Sequence, residues 1–277
     1  MAAVQRTGRR GTVVHLHAQD AALHVDGVTR RFSGRRGTTV ALDDFSLDVA
    51  DGELVCVVGP SGCGKSTLLD LLAGHQLPDA GHVYAHGEEV TGPGSRRMVI
   101  FQEHALFPWL TARGNVEFGL ELAGVGRRER RARAEEWLHR VHLEQFADSL
   151  VHELSGGMRQ RVAIARGFSL EPEVLLMDEP FSALDAQTRD LLHAELQDLW
   201  KTTGTTIVFI THNVRESVLL GDRVVVMSAP GRTRRVVDVD LPRPRHMEDP
   251  GLIDIARELL GDLRDEVPDR RRLAAGG

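Results

Sequence analysis

Leu54-Val55-Cys56-Val57-Val58-Gly59-Pro60-Ser61-Gly62-Cys63-Gly64-Lys65-Ser66-Thr67 decides the fold, because an apolar strand runs into a glycine turn and then into a helix start. The stretch fits the phosphate-loop spacing Gly-x-x-x-x-Gly-Lys-Ser/Thr. Gly59, Pro60, Ser61, Gly62, Cys63 and Gly64 form the turn, whose backbone N–H groups point inward around a phosphate. The helix that begins near Lys65 adds its positive dipole end. In this reading Lys65 reaches the β- and γ-phosphates, Ser66 holds Mg²⁺, and Thr67 binds the α-phosphate or caps the helix.

Working outward, Val174-Leu175-Leu176-Met177-Asp178-Glu179-Pro180 is a second apolar run that ends in two carboxylates. A buried parallel strand with acids at its carboxyl tip has this pattern. Asp178 is expected to face Mg²⁺ through water, and Glu179, one residue further, to polarise the attacking water. Mg²⁺ and a nucleoside triphosphate are therefore the expected ligands.

Between the two halves lies Leu154-Ser155-Gly156-Gly157-Met158-Arg159-Gln160, in which Ser155, Gly156 and Gly157 offer a hydroxyl and close backbone approach at a helix start. Here the chain resembles the ATP-binding subunit of an ABC transporter, over roughly residues 22–245. The resemblance implies an α/β fold: a P-loop NTPase core with an antiparallel β flank and an inserted α-helical signature subdomain. It implies that Ser155 to Gly157 cover the γ-phosphate held by a second copy, so that the working unit is a homodimer. Gln102, after Met98-Val99-Ile100-Phe101, matches the glutamine that contacts Mg²⁺ or water and links the site to the membrane partner. Asp185 matches the loop that crosses the dimer interface, and His212 the histidine that contacts the γ-phosphate and holds the catalytic geometry. Phe32 occupies the place of an adenine-stacking tyrosine, with a core aromatic as the other reading; Val40 is placed near the base or ribose.

Three further stretches, residues 106–111, 181–189 and 241–245, are similar to the nitrate, sulfonate and taurine importer branch. The departures are small, such as Asn213 where an acidic residue is common. The resemblance thus implies import of a small oxidised sulfur or nitrogen solute, sulfonates first and pyrimidine-type precursors second. Membrane permease subunits and an extracytoplasmic solute-binding protein are the expected partners, and the cytoplasmic face of the membrane the expected location. The rival is a soluble ABC ATPase acting on ribosomes or DNA, which usually carries two cassettes or a long coiled-coil insertion; neither is visible here. A simple P-loop kinase or GTPase leaves the signature, Gln102 and His212 unexplained.

Composition agrees with this reading without producing it. The 277 residues are 42% hydrophobic and carry a formal net charge of -6, which argues against a broad nucleic-acid surface. Cys56 and Cys63 make neither a disulfide framework nor a zinc spacing, and suit a reducing compartment. Cys63 is either reactive toward thiol reagents, with nucleotide protecting it, or inert. Residues 1–21, with Arg6, Arg9 and Arg10, read as a flexible leader without an export signal, and no stretch approaches the roughly 20 apolar residues that cross a bilayer.

Strands are expected at residues 23–28, 45–49 and 81–84, forming the antiparallel flank. The helical insertion spans about 103–165; in it Arg131 pairs with Glu135, while Trp137, Leu138 and Val141 form one apolar stripe. Phe107-Pro108-Trp109 is read as part of a groove for a membrane-subunit helix, or else as an aromatic tucked into the helical subdomain. The alternating pairs His15/His17 and His82/His86 read as solvent-facing strand residues rather than metal ligands. Strand character returns at 223–239, residues 241–245 break it, and 246–277 hold an amphipathic helix and tail. Leu252, Ala256, Leu259, Leu260 and Leu263 fall near one face of that helix, which docks on its own domain or makes a regulatory or dimer contact.

Overall fold

The computed structural model describes residues 21–35 and 37–264. The expectations for His15, His17 and the arginines of the leader lie outside these residues, as does the tail beyond 264. Ten strands and seven α-helices follow one another along the described chain. The strands are β1 (Leu23–Gly34), β2 (Gly37–Val49), β3 (Leu54–Val58), β4 (Ala80–Ala85), β5 (Glu88–Glu89), β6 (Arg97–Ile100), β7 (Val174–Asp178), β8 (Thr206–Thr211), β9 (Arg223–Ser228) and β10 (Arg232–Asp238). The helices are α1 (Lys65–Ala73), α2 (Ala112–Leu122), α3 (Arg127–Arg140), α4 (Gly156–Ser169), α5 (Ala186–Thr203), α6 (Val214–Leu220) and α7 (Pro250–Arg264).

The larger sheet has the order β10-β9-β3-β8-β7-β6, parallel except for β10 on the edge. Its strands β3, β7, β8 and β9 are largely apolar because both faces are covered, and their period of two divides one core into two. Leu54, Cys56 and Val58 of β3 pack with Leu175 and Met177 of β7 and with Ile207 and Phe209 of β8, beneath the helices. The alternate residues Val55, Val57, Leu176 and Val208 join α1 and the second sheet. That sheet, β2-β1-β4-β5, is antiparallel and lies across α1, which explains why Leu68, Leu69, Leu71 and Leu72 are all buried on one short helix. The α/β core, antiparallel flank and helical insertion are those expected.

The insertion is built from α2, α3 and α4, which pack on one another. Trp137 and Leu138 are buried, and the Trp137 ring stacks on Phe168 at 5.5 Å, so the apolar stripe of α3 faces its own subdomain. Arg131 reaches Glu135 at 2.9 Å on the outer surface. After β10 the chain breaks at 241–245, where buried Arg245 donates to the carbonyls of Val218, Gly221, Val239 and Leu241. Removal from water lowers the Arg245 pKa to about 10. Leu252, Ala256 and Leu259 of α7 are fully buried in the core shared with α6, whereas Leu260 on the same helix is exposed. The last helix therefore docks on its own domain.

His82 is exposed and bonded to Glu89, whereas His86 is half-buried against Glu173. Among the described residues no group of three or more histidine, cysteine, aspartate or glutamate side chains is placed to hold a metal ion. Nor is any described helix long and apolar enough to cross a membrane.

Candidate nucleotide site

The phosphate loop lies at the carboxyl end of β3, where parallel sheets of this kind present their ligand sites. Gly64 caps α1 with φ +105°, and a Cβ there would sit 2.3 Å from the carbonyl oxygen of Ala41, so the position requires glycine on two counts. Lys65 is buried, and its ammonium donates to the carbonyls of Gly59 at 2.9 Å and Pro60 at 3.1 Å. Ser66, the second residue of α1, lies close enough to Asp178 for its hydroxyl to lower the pKa of that carboxyl. Cys63 is 1% exposed, which removes it from ready attack by thiol reagents.

Asp178 ends β7, paired in register with Ile210 of β8. Burial raises its pKa, the charge of Glu179 adds to the rise, and the Ser66 hydroxyl and Lys65 oppose it. The chain then turns sharply: Glu179 has φ +44°, rare for a residue with a side chain, and its N–H donates to the Ile210 carbonyl at 2.9 Å. That turn brings its carboxylate to His212, whose Nδ1 lies 2.8 Å from Oε2. Ser182 secures the same turn by donating its hydroxyl to the Glu179 carbonyl. Lys65, Ser66, Asp178, Glu179 and His212 thus converge from three neighbouring strand ends. Together they offer a cation, a hydroxyl–carboxylate pair of hard oxygen donors, and a carboxylate steadied by an imidazole. A hydroxyl and one carboxylate are the donors with which proteins hold Mg²⁺ alongside substrate phosphates.

The signature residues are organised by a different part of the chain. Ser155 caps α4, its hydroxyl accepting from the N–H of Met158 at 3.2 Å. A Cβ on Gly157 would lie 2.5 Å from Thr188 Cγ2, so the helix start is pressed against the start of α5. Asp185 caps α5 and accepts from both the N–H and the hydroxyl of Thr188, which hold its carboxyl below the usual range. Gln102 is exposed two residues beyond β6. Phe32 is 40% exposed near the end of β1, with the Arg30 guanidinium 5.1 Å from its ring centre; this is not a core aromatic. Val40 is half-buried on β2, opposite Arg31.

The roles of some residues that organise the site escaped the sequence reading. His104 lies beside the Gly156 backbone, and burial first and Arg159 second lower its pKa. Arg166 of α4 donates to the carbonyls of His104 and Ala105 at 3.1 and 2.8 Å, so the segment after Gln102 is tied to the signature helix. Asn213 caps α6 through the N–H groups of Arg215 and Glu216. The cap-then-helix pattern was its available signal; His104 and Arg166 offered none, because their partners are backbone atoms distant in sequence.

A profile of the ABC transporter family matches residues 42–182. The chain is 48% identical over 221 residues to a nitrate import ATP-binding protein of Synechocystis sp., covering 79% of this chain and 83% of that protein. It is 47% identical over 222 residues to a taurine import ATP-binding protein of Pseudomonas aeruginosa, covering 80% and 84%. Among solved structures, a dimeric ATP-binding cassette in a post-hydrolysis state, bound to ADP and Pi, superposes with a TM-score of 0.69 at 31% identity, over 79% of this chain and all of that one. With these likenesses added to a phosphate loop, a signature helix and paired acids on one α/β core, the chain belongs to the ABC transporter family, as an ATP-binding subunit that hydrolyses ATP.

Proposed function

We propose that this subunit energises an importer for a small oxidised sulfur or nitrogen solute, and that the residues gathered above perform the hydrolysis. The observation that carries the catalytic part is the 2.8 Å contact between His212 and Glu179, beside the neighbouring side chains of Ser66 and Asp178. Lys65 and the loop amides from Gly59 to Thr67 bind the phosphates, and Phe32 offers its exposed ring to the base. Ser66 and Asp178, with Gln102, are the residues to hold Mg²⁺, which when bound offsets charge on the β- and γ-phosphates. Glu179 accepts a proton from the attacking water, and His212 fixes the direction of its carboxylate. Ser155, Gly156 and Gly157 complete the site of a second copy, two chains closing head to tail around two ATP molecules. Hydrolysis replaces one anion by two products at that interface, and the dimer reopens.

Coupling to a permease is supported by Trp109, which is 71% exposed, while Phe107 beside it packs on Phe118 at 4.5 Å. The pair presents an anchored base and a free indole, the kind of aromatic surface that a partner helix covers. Such a partner places the chain at the cytoplasmic face of the membrane, and an extracytoplasmic solute-binding protein supplies the cargo. The choice of cargo is supported by the import proteins for nitrate and for taurine, an aminosulfonate, to which this chain is similar. Deleting the gene is expected to abolish growth on a sulfonate as sole sulfur source, or on nitrate as sole nitrogen source, with growth on sulfate and ammonium retained. Unchanged growth and uptake across that panel, with no redundant importer present, contradicts the cargo and leaves the ATPase intact.

A further inference from the structure

Directly behind the Glu179–His212 pair lies a buried polar cluster to which the hydrolysis just described assigns no task. Glu216 of α6, Thr211 at the end of β8 and His193 of α5 are 5%, 2% and 1% exposed. One Glu216 oxygen lies 2.7 Å from His193 Nε2, and the other accepts the Thr211 hydroxyl. The Thr211 oxygen in turn accepts the Asn213 N–H at 2.9 Å, so hydrogen bonds flank His212 on both sides along the chain. The His193 ring stands edge-on to Phe181 at 5.3 Å, and Phe181 follows Glu179 by two residues. A cavity of about 30 Å³, room for a single water, separates the two sets, lined by Glu179, Ser182, Arg189, Thr211, His212 and Glu216.

A carboxylate in this setting is costly as mere filling. Its neighbours Val214, Val218 and Leu219 on the same helix are apolar and equally buried, and an apolar side chain of similar volume generally serves packing as well or better. What an apolar side chain does not supply is direction: two hydrogen bonds from different elements fix the angle between them. We propose that Glu216 is a positioning residue for ATP hydrolysis. By bridging His193 and Thr211 it locks the end of β8 to α5, and so fixes the backbone from which His212 reaches Glu179. The proposal rests on the roles given above to Glu179 and His212.

The test is ATP hydrolysis by the full chain, measured with radiolabelled ATP so that slow variants remain quantifiable. Glu216→Gln, His193→Phe and His193→Gln are each made alone and with His212→Ala, with thermal unfolding recorded for all. Misplacing a catalytic group by a fraction of an ångström predicts that Glu216→Gln and His193→Phe lower kcat about 10- to 100-fold with little change in KM. His193→Gln, whose amide N–H replaces the imidazole donor, is expected to recover most of what His193→Phe loses. In the His212→Ala background Glu216→Gln is expected to cost nothing further, because its effect passes through His212. A full additional loss in that background, or a lowered unfolding temperature with kcat retained, overturns the proposal and leaves Glu216 a packing residue. Full-rate hydrolysis by His212→Ala alone instead removes the role given to His212, and the proposal with it.

Discussion

The phosphate loop and the segment from Phe101 to Trp109 both leave the carboxyl ends of parallel strands, yet they are held in opposite ways. The first is fixed from within: Gly64 fits only because Ala41 leaves no room for a side chain, and Lys65 is bonded back to two loop carbonyls. The second is tied by two long-range bonds from Arg166 and a nearby bond from the Phe107 N–H to Asn115, while Phe101 and Trp109 remain on the surface. The shape of the phosphate loop is accordingly set by one chain's packing. The aromatic segment has surplus apolar surface, which in the proposed coupling another molecule covers.

This contrast is broken most severely at Gly64. Gly64→Ala introduces both a clash and a left-handed backbone with a side chain, and is expected to lower stability by about 3 kcal/mol or more and to abolish ATP binding. Denaturant unfolding and nucleotide titration check both; a stable variant with normal affinity means that the loop is less constrained than its contacts indicate. Asn213→Ala removes the cap of α6 while leaving His212 in place, and is expected to cost about 1 kcal/mol, read from the same unfolding curves. The smallest effect on stability belongs to Trp109→Ala, within about 0.5 kcal/mol, with ATP affinity unaltered and assembly with the permease weakened. Unfolding or loss of nucleotide binding in this variant, with assembly unaffected, makes Trp109 a core residue and erases the contrast.

What the sequence disclosed follows the same division. Parallel strands buried on both faces appear as unbroken apolar runs, so β3 and β7 were legible together with the acids at the tip of β7. The β1–β2 hairpin extends to Gly34 and begins again at Gly37, well beyond the expected 23–28 and 45–49. Its outer residues, Arg31 to Gly34 and Gly37 to Thr39, are exposed and paired only through their backbones, so no apolar alternation marks them. Asn213, noted as a departure from an acidic residue, is a helix cap, a role that asparagine and aspartate perform equally well. Nothing in the sequence singles out Glu216 and His193. Their burial depends on how α5 and α6 meet, and no single helix's pattern encodes that. Phe32 left two readings open, and its exposure removes one.

The central claim is that Glu179, steadied by His212, takes the proton from water, and the most direct measurement is steady-state ATP hydrolysis by Glu179→Gln beside its ATP affinity. The amide keeps the shape of the side chain and its place beside His212 but removes the base. Turnover is expected to fall by about 10² to 10⁴, with binding retained and the ATP-bound dimer accumulating on gel filtration. Near-normal hydrolysis by the variant would contradict the account.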